Sequence, residues 1–451
     1  MTCLFGTGLL VPLNGCVTTP PDSHESPTPA APVADADGPM PDDEAEQLLA
    51  SIAARAPDPQ EFAELFDTVG ALSDSPIYSD SRAELLIDGP VTYEAMLKEI
   101  GEATSSILLE TYIFADDGVG RKFAAALGVK AREGVAVRVI FDSIGSILSD
   151  DEFFAGMRAD GIQIVEYHDI NPADGGNPLN ANVRDHRKLL IVDGRVAFTG
   201  GINLSDTYSS SSLGVEPEKP LEGGWRDTHV AVYGPAVAGF LDVFADNWIE
   251  HTDGTPLPEV VVDPGDAGSD VVAVLKSDGG DARESEIFHA YREAMEVARE
   301  RVWITQAYFA PDDGFMDDLK AAAGRGVDVR VVVPGASNSA LVLNASRSRY
   351  GDLLEAGVRI YETHQSFVHA KTAVIDGLWS TVGSSNLDYR SFLHNDEVNA
   401  VVFGADFARQ LEMQFVDDIL RSRAVTLEEW RDRGVLRRFS EWLSWPLEYW
   451  L

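Results

Sequence analysis

The chain has 451 residues and an apolar share of 45%, enough for two or three domains with real cores. Its formal charge of -39 is far from ordinary, with 74 acidic side chains against 35 Lys and Arg. So acidic a surface repels nucleic-acid phosphates, which excludes a general nucleic-acid partner, and any anionic substrate must be drawn in by local positive charge.

At the amino terminus, Leu4 to Leu13 form an apolar run too short to span a bilayer but of signal-peptide length. It ends Leu13-Asn14-Gly15-Cys16, which resembles a bacterial lipoprotein box. The resemblance implies a signal peptide over residues 1–16, a lipid on Cys16 and a place in the bacterial cell envelope. Residues 17–50 are expected to be a disordered tether, because Val17 to Asp43 are rich in Pro, Ala, Asp, Ser and Thr and bury little apolar surface. Residues 51–83 are read as a helical extension. Cys3 and Cys16 are the two cysteines, so the remainder has no disulfide, thiolate metal site or cysteine nucleophile.

The body then repeats one order of parts, predicting domains at 84–265 and 266–425. The strand Glu110-Thr111-Tyr112-Ile113-Phe114 has its counterpart in Gln306-Ala307-Tyr308-Phe309-Ala310. A helix follows each, then the period-2 strands Gly134 to Val139 and Gly326 to Val331, then Gly161 to Ile164 and Gly357 to Ile360. Tyr112 and Tyr308 are offset by 196 (308 − 112), and so are His168 and His364 (364 − 168). His186 and His369 are offset by only 183 (369 − 186), which puts a 13-residue insertion (196 − 183) before His186. That loop-like segment, Asn171 to Pro178, is either a cover for a substrate or a tolerated surface insertion. Alternating strands and helices predict an α/β fold: two duplicated α/β/α domains packed face to face around one composite site. The tail, 426–451, sets Phe439, Trp442, Trp445, Tyr449 and Trp450 after Arg433, Arg437 and Arg438, a mixture that suits a bilayer surface or packing onto the body.

The chemistry lies in the repeated motif. His186-Arg187-Lys188, with Asp193 and then Gly200-Gly201-Ile202-Asn203, matches His369-Ala370-Lys371, with Asp376 and then Gly383-Ser384-Ser385-Asn386. Residues i and i+2 of a strand share a face, so each His stands beside a cation suited to phosphate. Asp193 and Asp376 belong to the motif and count among the catalytic candidates, but each is out of phase and precedes Gly, which reads first as a hairpin turn. Asn203 and Asn386 either close turns or donate to phosphate oxygens beside Lys188 and Lys371. A nucleophilic His needs a carboxylate on its other ring nitrogen; Asp227 and Glu397, which follow the motifs in matching order, are the candidates. Two His and two Lys together point to attack on a phosphodiester with no metal or cofactor. His24, His229, His251, His289 and His394 are read as surface or packing residues.

These motifs, with Trp225-Arg226-Asp227-Thr228-His229 and Asn386-Leu387-Asp388-Tyr389-Arg390-Ser391-Phe392, resemble the phospholipase D superfamily and within it the bacterial cardiolipin synthases. The likeness covers residues 84–451. It implies a membrane-associated phosphatidyltransferase that makes cardiolipin from phosphatidylglycerol and a second phospholipid, for which phosphatidylethanolamine is a candidate. It also implies a covalent phosphatidyl-histidine, with His186 as nucleophile and His369 as general acid and base; the residues alone leave the reverse open. A phospholipase D-type hydrolase or phosphodiesterase, with water as acceptor, is the alternative. Asn338 stands where relatives usually carry Asp.

Overall fold

A computed structural model describes residues 32–434 apart from 36–37, 74, 171–181, 211, 213–223, 253, 258–259, 264, 266–267, 280–284, 338–339 and 365. Cys16, the inserted segment, Asn338 and the terminal aromatics from Phe439 onward lie outside the described residues.

The first half is one seven-stranded mixed sheet. Its strands are β1 (Ile77–Ile87), β2 (Ser106–Thr111), β3 (Ala136–Asp142), β4 (Gln163–Tyr167), β5 (Lys188–Val192), β6 (Val196–Gly200) and β7 (Thr228–Tyr233). They lie in the order β4-β3-β2-β5-β6-β7-β1, with β2, β3 and β4 parallel and the other pairings antiparallel. The second half follows the same plan with β8 (Asp270–Ser277), β9 (Arg301–Gln306), β10 (Asp328–Pro334), β11 (Arg359–Thr363), β12 (Lys371–Ile375), β13 (Trp379–Gly383) and β14 (Asn395–Phe403). Their order is β11-β10-β9-β12-β13-β14-β8. Position for position this is the first order again, as the internal offsets predict. The sheets are joined where β8 pairs with β1 at Val272 and Tyr78.

Each motif strand is buried on both faces, which is why Lys188-Leu189-Leu190-Ile191-Val192 is an unbroken apolar run after its lysine rather than an alternating one. Leu190 and Val192 point into the outer core of the first half, with Phe123 and Phe198. Leu189 and Ile191 point into a central core shared with Val374, Val382 and Val402 of the second half. The helices Val237–His251 and Ala405–Leu420 supply Phe240, Phe244, Phe407 and Leu411 to this middle layer. The halves therefore meet across an apolar core, and the motif strands, central in their own sheets, face it.

The amino-terminal expectations need correcting. The segment expected to be a tether through residue 50 contains the strand Val33–Asp35, which pairs parallel with Ile77 and Tyr78, and most of the helix Asp42–Ala53. Val33 and Ala34 are buried, because the start of β1 offers an unpaired edge that even a Pro- and Asp-rich segment can extend. The helical extension does exist as Pro59–Leu72, but it packs on the second half: Phe62 and Phe66 meet Phe403 with ring centroids 6.2 and 5.0 Å apart. A domain start at 84 would cut β1, which begins at Ile77. At the other end the first turn of the expected tail, Leu427–Arg431, buries Trp430 against Tyr350, centroids 5.0 Å apart.

Candidate active site

Both hairpins form as expected. Asp193 and Gly194 have φ of 53° and 63°, and Asp376 and Gly377 have 50° and 68°, the pair of positive angles of a tight two-residue turn. The Asp193 carboxylate accepts backbone N–H groups from Thr104, Ser105 and Ser106 at 2.7–2.8 Å. Asp376 does the same for Arg299, Glu300 and Arg301 at 2.7–2.9 Å. The catalytic candidacy of both aspartates is thereby corrected. Each sits seven residues from its histidine, at the far end of the motif strand, and locks the start of the neighbouring strand. Asp193→Ala is expected to lower unfolding free energy by about 1–3 kcal/mol, since charge-assisted bonds to three amides are lost, while kcat/KM stays within about two-fold. Denaturant melts and initial rates together check this.

Two inter-half pairings bring the histidines together. Arg184 and Asp185 pair parallel with Asn395 and Asp396, and the His186 N–H donates to the Asp396 carbonyl at 2.9 Å. On the opposite side Arg226 bridges to Val368, and the His369 N–H donates to the Arg226 carbonyl at 2.7 Å. The carboxylates are consequently exchanged between halves. Glu397, from the second half, lies 3.0 Å from His186 Nδ1 through each of its oxygens. Asp227, from the first, lies 2.8 Å from His369 Nδ1. Chain order had suggested the two acids without saying which histidine each serves.

The glycines of the motif make this possible. A Cβ on Gly201 would stand 2.1 Å from Asp227 Oδ1. At the matching place the second half has Ser384, whose hydroxyl donates to Glu397 Oε2 at 2.5 Å. One level further, Ile202 N donates to His229 Nδ1 and Ser385 N to Asn399 Oδ1, both at 3.3 Å, so the buried His229 supports the turn behind the site.

Burial sets the protonation pattern. It pushes His186 down to about 4 against the opposing pull of Glu397. It pushes His369 down to about 3, with Lys371 adding to the effect. The carboxyls, which burial alone would raise, are held down by their histidines and lysines, Glu397 to about 2 and Asp227 below its ordinary value. At neutral pH each ionised carboxylate thus accepts the Nδ1–H of a neutral imidazole, leaving the lone pair on Nε2, which on His369 has Lys371 Nζ 3.2 Å away. Lys188 and Lys371 are almost fully buried and donate to the carbonyls of His186 and His369 respectively. Burial lowers them to about 7 and about 8.

His186, His369, Asn203 and Asn386 line one cavity of about 270 Å³. Asn203 accepts the Ile113 N–H and donates one amide hydrogen to Tyr208 at 2.8 Å. Asn386 Oδ1 is buried with no partner among the described residues. The rest of the lining is not among the candidate site residues, although Tyr112, Trp225, Tyr308, Asp388 and Arg390 stand in the stretches that repeat or that carry the resemblance. His369 is surrounded by Tyr208, Trp225, Tyr308 and Phe367, ring centroids 5.2–6.1 Å away. Under the internal repeat their counterparts around His186 are Ser391, Asn395, Tyr112 and Arg184. Of the aromatic wall only the tyrosine recurs, with Tyr112 5.0 Å from the His186 ring. Asp388 and Arg390 add further charge to the lining. The fold is symmetric but the cavity is not: one wall is aromatic, the other polar and charged.

A family model described as cardiolipin synthase, PLD-like domain, matches residues 96–214 and 291–419, one segment in each half. The cardiolipin synthase of Geobacillus sp. (strain WCH70) is 33% identical over 376 residues, 82% of this chain and 72% of that protein. The major cardiolipin synthase ClsA of Bacillus subtilis (strain 168) is 35% identical over 370 residues, 81% of this chain and 74% of that protein. Among solved structures, phosphatidylserine synthase of Haemophilus influenzae Rd KW20 superimposes with a TM-score of 0.61 at 13% identity, covering 82% of this chain and 95% of that one. Polyphosphate kinase of Porphyromonas gingivalis does so with a TM-score of 0.51 at 14% identity, covering 79% and 49%. At these identities the two structures share the fold alone.

Proposed function

This chain belongs to the phospholipase D-like cardiolipin synthase family, and from that premise we propose that it is a phosphatidyltransferase that makes cardiolipin from phosphatidylglycerol and a second phospholipid. The observation that carries the mechanism is the pair of crossed His–carboxylate contacts on one small cavity. The pair suits a double displacement in which His186 enters as the neutral imidazole and His369 as the imidazolium, its Nε2 protonated on binding of the phosphodiester anion beside Lys371, whose Nζ lies 3.2 Å from that nitrogen. His186 Nε2 attacks phosphorus, the P–O bond to the leaving glycerol breaks, and His369 delivers a proton to that oxygen. The same His369 then takes the proton of the incoming lipid hydroxyl as its oxygen attacks, and the P–N bond to His186 breaks. Lys188 and Lys371, with Asn203 and Asn386, offset the charge on the equatorial oxygens.

The assignment of His186 as nucleophile follows the resemblance. It is tested by quenching each histidine variant in alkaline detergent, which preserves a P–N bond, after reaction with a phosphatidyl p-nitrophenol labelled at phosphorus, whose leaving group needs no proton: label held by His369→Ala but not by His186→Ala is expected, and the opposite pattern reverses the roles. Transfer itself is tested by giving the purified protein phosphatidylglycerol vesicles with and without phosphatidylethanolamine and resolving products by mass. Cardiolipin is the expected product, and phosphatidic acid alone would replace transferase by hydrolase.

The lysines predict the alkaline limb of activity. A Lys lowered from its ordinary value to about 7 or about 8 loses its proton just above neutrality, and with it the charge that binds phosphate. The kcat/KM profile is therefore expected to fall above pH 7–8. The kcat profile is expected to hold to higher pH, because a bound anion favours the protonated lysines. A flat kcat/KM up to pH 10 would remove the lysines from substrate binding.

No helix among the described residues is long and apolar enough to cross a membrane. A lipid on Cys16 would hold the enzyme at the envelope membrane, and the mass of the mature amino terminus tests this, an unmodified Met1 refuting it.

A further inference from the structure

The segment after β3, residues 143–150, carries Ile147 at 64% and Leu148 at 96% exposure. Leu148 is the most exposed large apolar side chain of the described residues. It does not belong to a loose loop. Asp142 Oδ1 accepts the N–H groups of Ile144 and Gly145 at 2.9 and 2.8 Å. Gly145 sits so close to the neighbouring chain that a Cβ would meet the Tyr112 carbonyl oxygen at 2.0 Å. Ser146 Oγ accepts the Phe114 N–H, and Ser149 Oγ donates to the Phe114 carbonyl at 2.7 Å. The segment is thus fastened to Tyr112–Phe114, the stretch whose Tyr112 and Ile113 line the catalytic cavity, and it holds two apolar side chains out into solvent.

The internal repeat supplies a counterpart in the second half. The segment after β10, the counterpart of β3, leads into the helix Ala340–Ser348. There Val342 lines the cavity and Leu341 remains 37% exposed. Each half therefore carries exposed apolar residues on the segment that leaves the same strand, one fastened to the cavity-lining Tyr112 and Ile113 and the other next to the cavity-lining Val342, while Ile147 also lines a separate cavity of about 620 Å³ with Ser146 and Phe154.

We propose that Ile147 and Leu148, with Leu341 of the second half, form a rim that inserts into the bilayer interface so that lipid headgroups enter the cavity without the acyl chains leaving the membrane. This rests on the phospholipid substrate proposed above. A cavity of about 270 Å³ has room for a phosphodiester and its glycerol but not for two acyl chains, which must stay in an apolar phase while phosphorus reaches His186. Charge does not do the docking: the -39 of the chain opposes an anionic surface, so apolar insertion has to supply the contact. Screening by salt is therefore expected to strengthen binding to anionic vesicles, the reverse of electrostatic docking.

The test compares Cys16→Ser protein with the same protein carrying Ile147→Ser and Leu148→Ser, so that no lipid on Cys16 masks the rim. Flotation with vesicles of equal parts phosphatidylcholine and phosphatidylglycerol is expected to show about ten-fold less bound protein for the rim variant, the effect of removing two inserting side chains. The ratio of its turnover on vesicles to its turnover on dihexanoyl phosphatidylglycerol below the critical micelle concentration is expected to fall by a similar factor. Leu148→Asp alone is expected to reproduce the loss. Equal flotation, an unchanged turnover ratio, or binding that weakens with salt overturns the rim. So does a dimer of the parent protein that dissociates in the variant, since it would assign the patch to a second copy. A failed transferase reading looks different: the parent protein floats and the variant does not, yet neither makes cardiolipin.

Discussion

Turnover of phosphatidylglycerol is expected to fall by roughly four orders of magnitude or more in both His186→Ala and His369→Ala, with folding and vesicle binding intact. The size of the effect follows from how the two histidines share one reaction. Removing the nucleophile leaves water or lipid hydroxyl to attack a phosphodiester anion directly. Removing the acid leaves an alkoxide as leaving group. Neither loss can be made good by the other imidazole, because each is tied through Nδ1 to its own carboxylate, His186 to Glu397 and His369 to Asp227. The two variants are expected to differ in what remains. The one that loses the acid can still form the P–N bond with a substrate whose leaving group needs no proton, such as a p-nitrophenyl phosphodiester, giving a burst of nitrophenol without steady turnover. The one that loses the nucleophile gives neither. Near-normal steady turnover in either variant would break the composite site into two independent ones.

The sequence exposes this chemistry because the histidine, the lysine and the turn after them are local. Strand period puts His186 and Lys188 on one face, and Asp-Gly reports its turn through its own backbone angles. The duplication likewise shows both halves, since the same strand order needs the same apolar pattern twice. What the sequence hides is set between segments. Whether Asp227 serves His186 or His369 depends on Arg226 meeting Val368 across the halves, and no periodicity in either strand encodes that contact. The aromatic wall is hidden for the opposite reason. Trp225, Phe367 and Tyr208 have Asn395, Arg184 and Ser391 as counterparts, so a search for what repeats passes over them. The strand at Val33–Asp35 is hidden by composition, because its stability comes from the edge of β1 rather than from its own residues.

The exchange of carboxylates leads to the second large effect. Glu397→Gln is expected to lower kcat by roughly two to four orders of magnitude, although it removes one charge and almost no volume. The amide would be held in place by Ser384, whose hydroxyl bonds the native carboxylate at 2.5 Å. Its NH₂ can then point at His186 Nδ1 as a donor. An imidazole that accepts at Nδ1 carries its proton on Nε2, the atom that must attack phosphorus, so the nucleophile is blocked by tautomer rather than by distance. Removing the negative charge also withdraws the partner that stabilises the imidazolium-like phosphatidyl-histidine. Asp227→Asn should act on His369 through the lost charge, which destabilises its imidazolium and slows proton delivery to the leaving oxygen and its recovery from the acceptor. Because the acids come from opposite halves, each substitution is expected to act on the histidine 211 or 142 residues away in sequence and not on the one in its own half. The burst assay with a p-nitrophenyl phosphodiester separates them: Asp227→Asn keeps the burst and loses the steady rate, whereas Glu397→Gln loses the burst itself. The converse pattern would mean either that the carboxylates serve the histidines of their own halves or that His369 is the nucleophile. Burst kinetics of Glu397→Gln combined with His369→Ala tell these apart: the burst survives in the double variant if the carboxylates serve the histidines of their own halves with His186 as nucleophile, and is lost if His369 is the nucleophile.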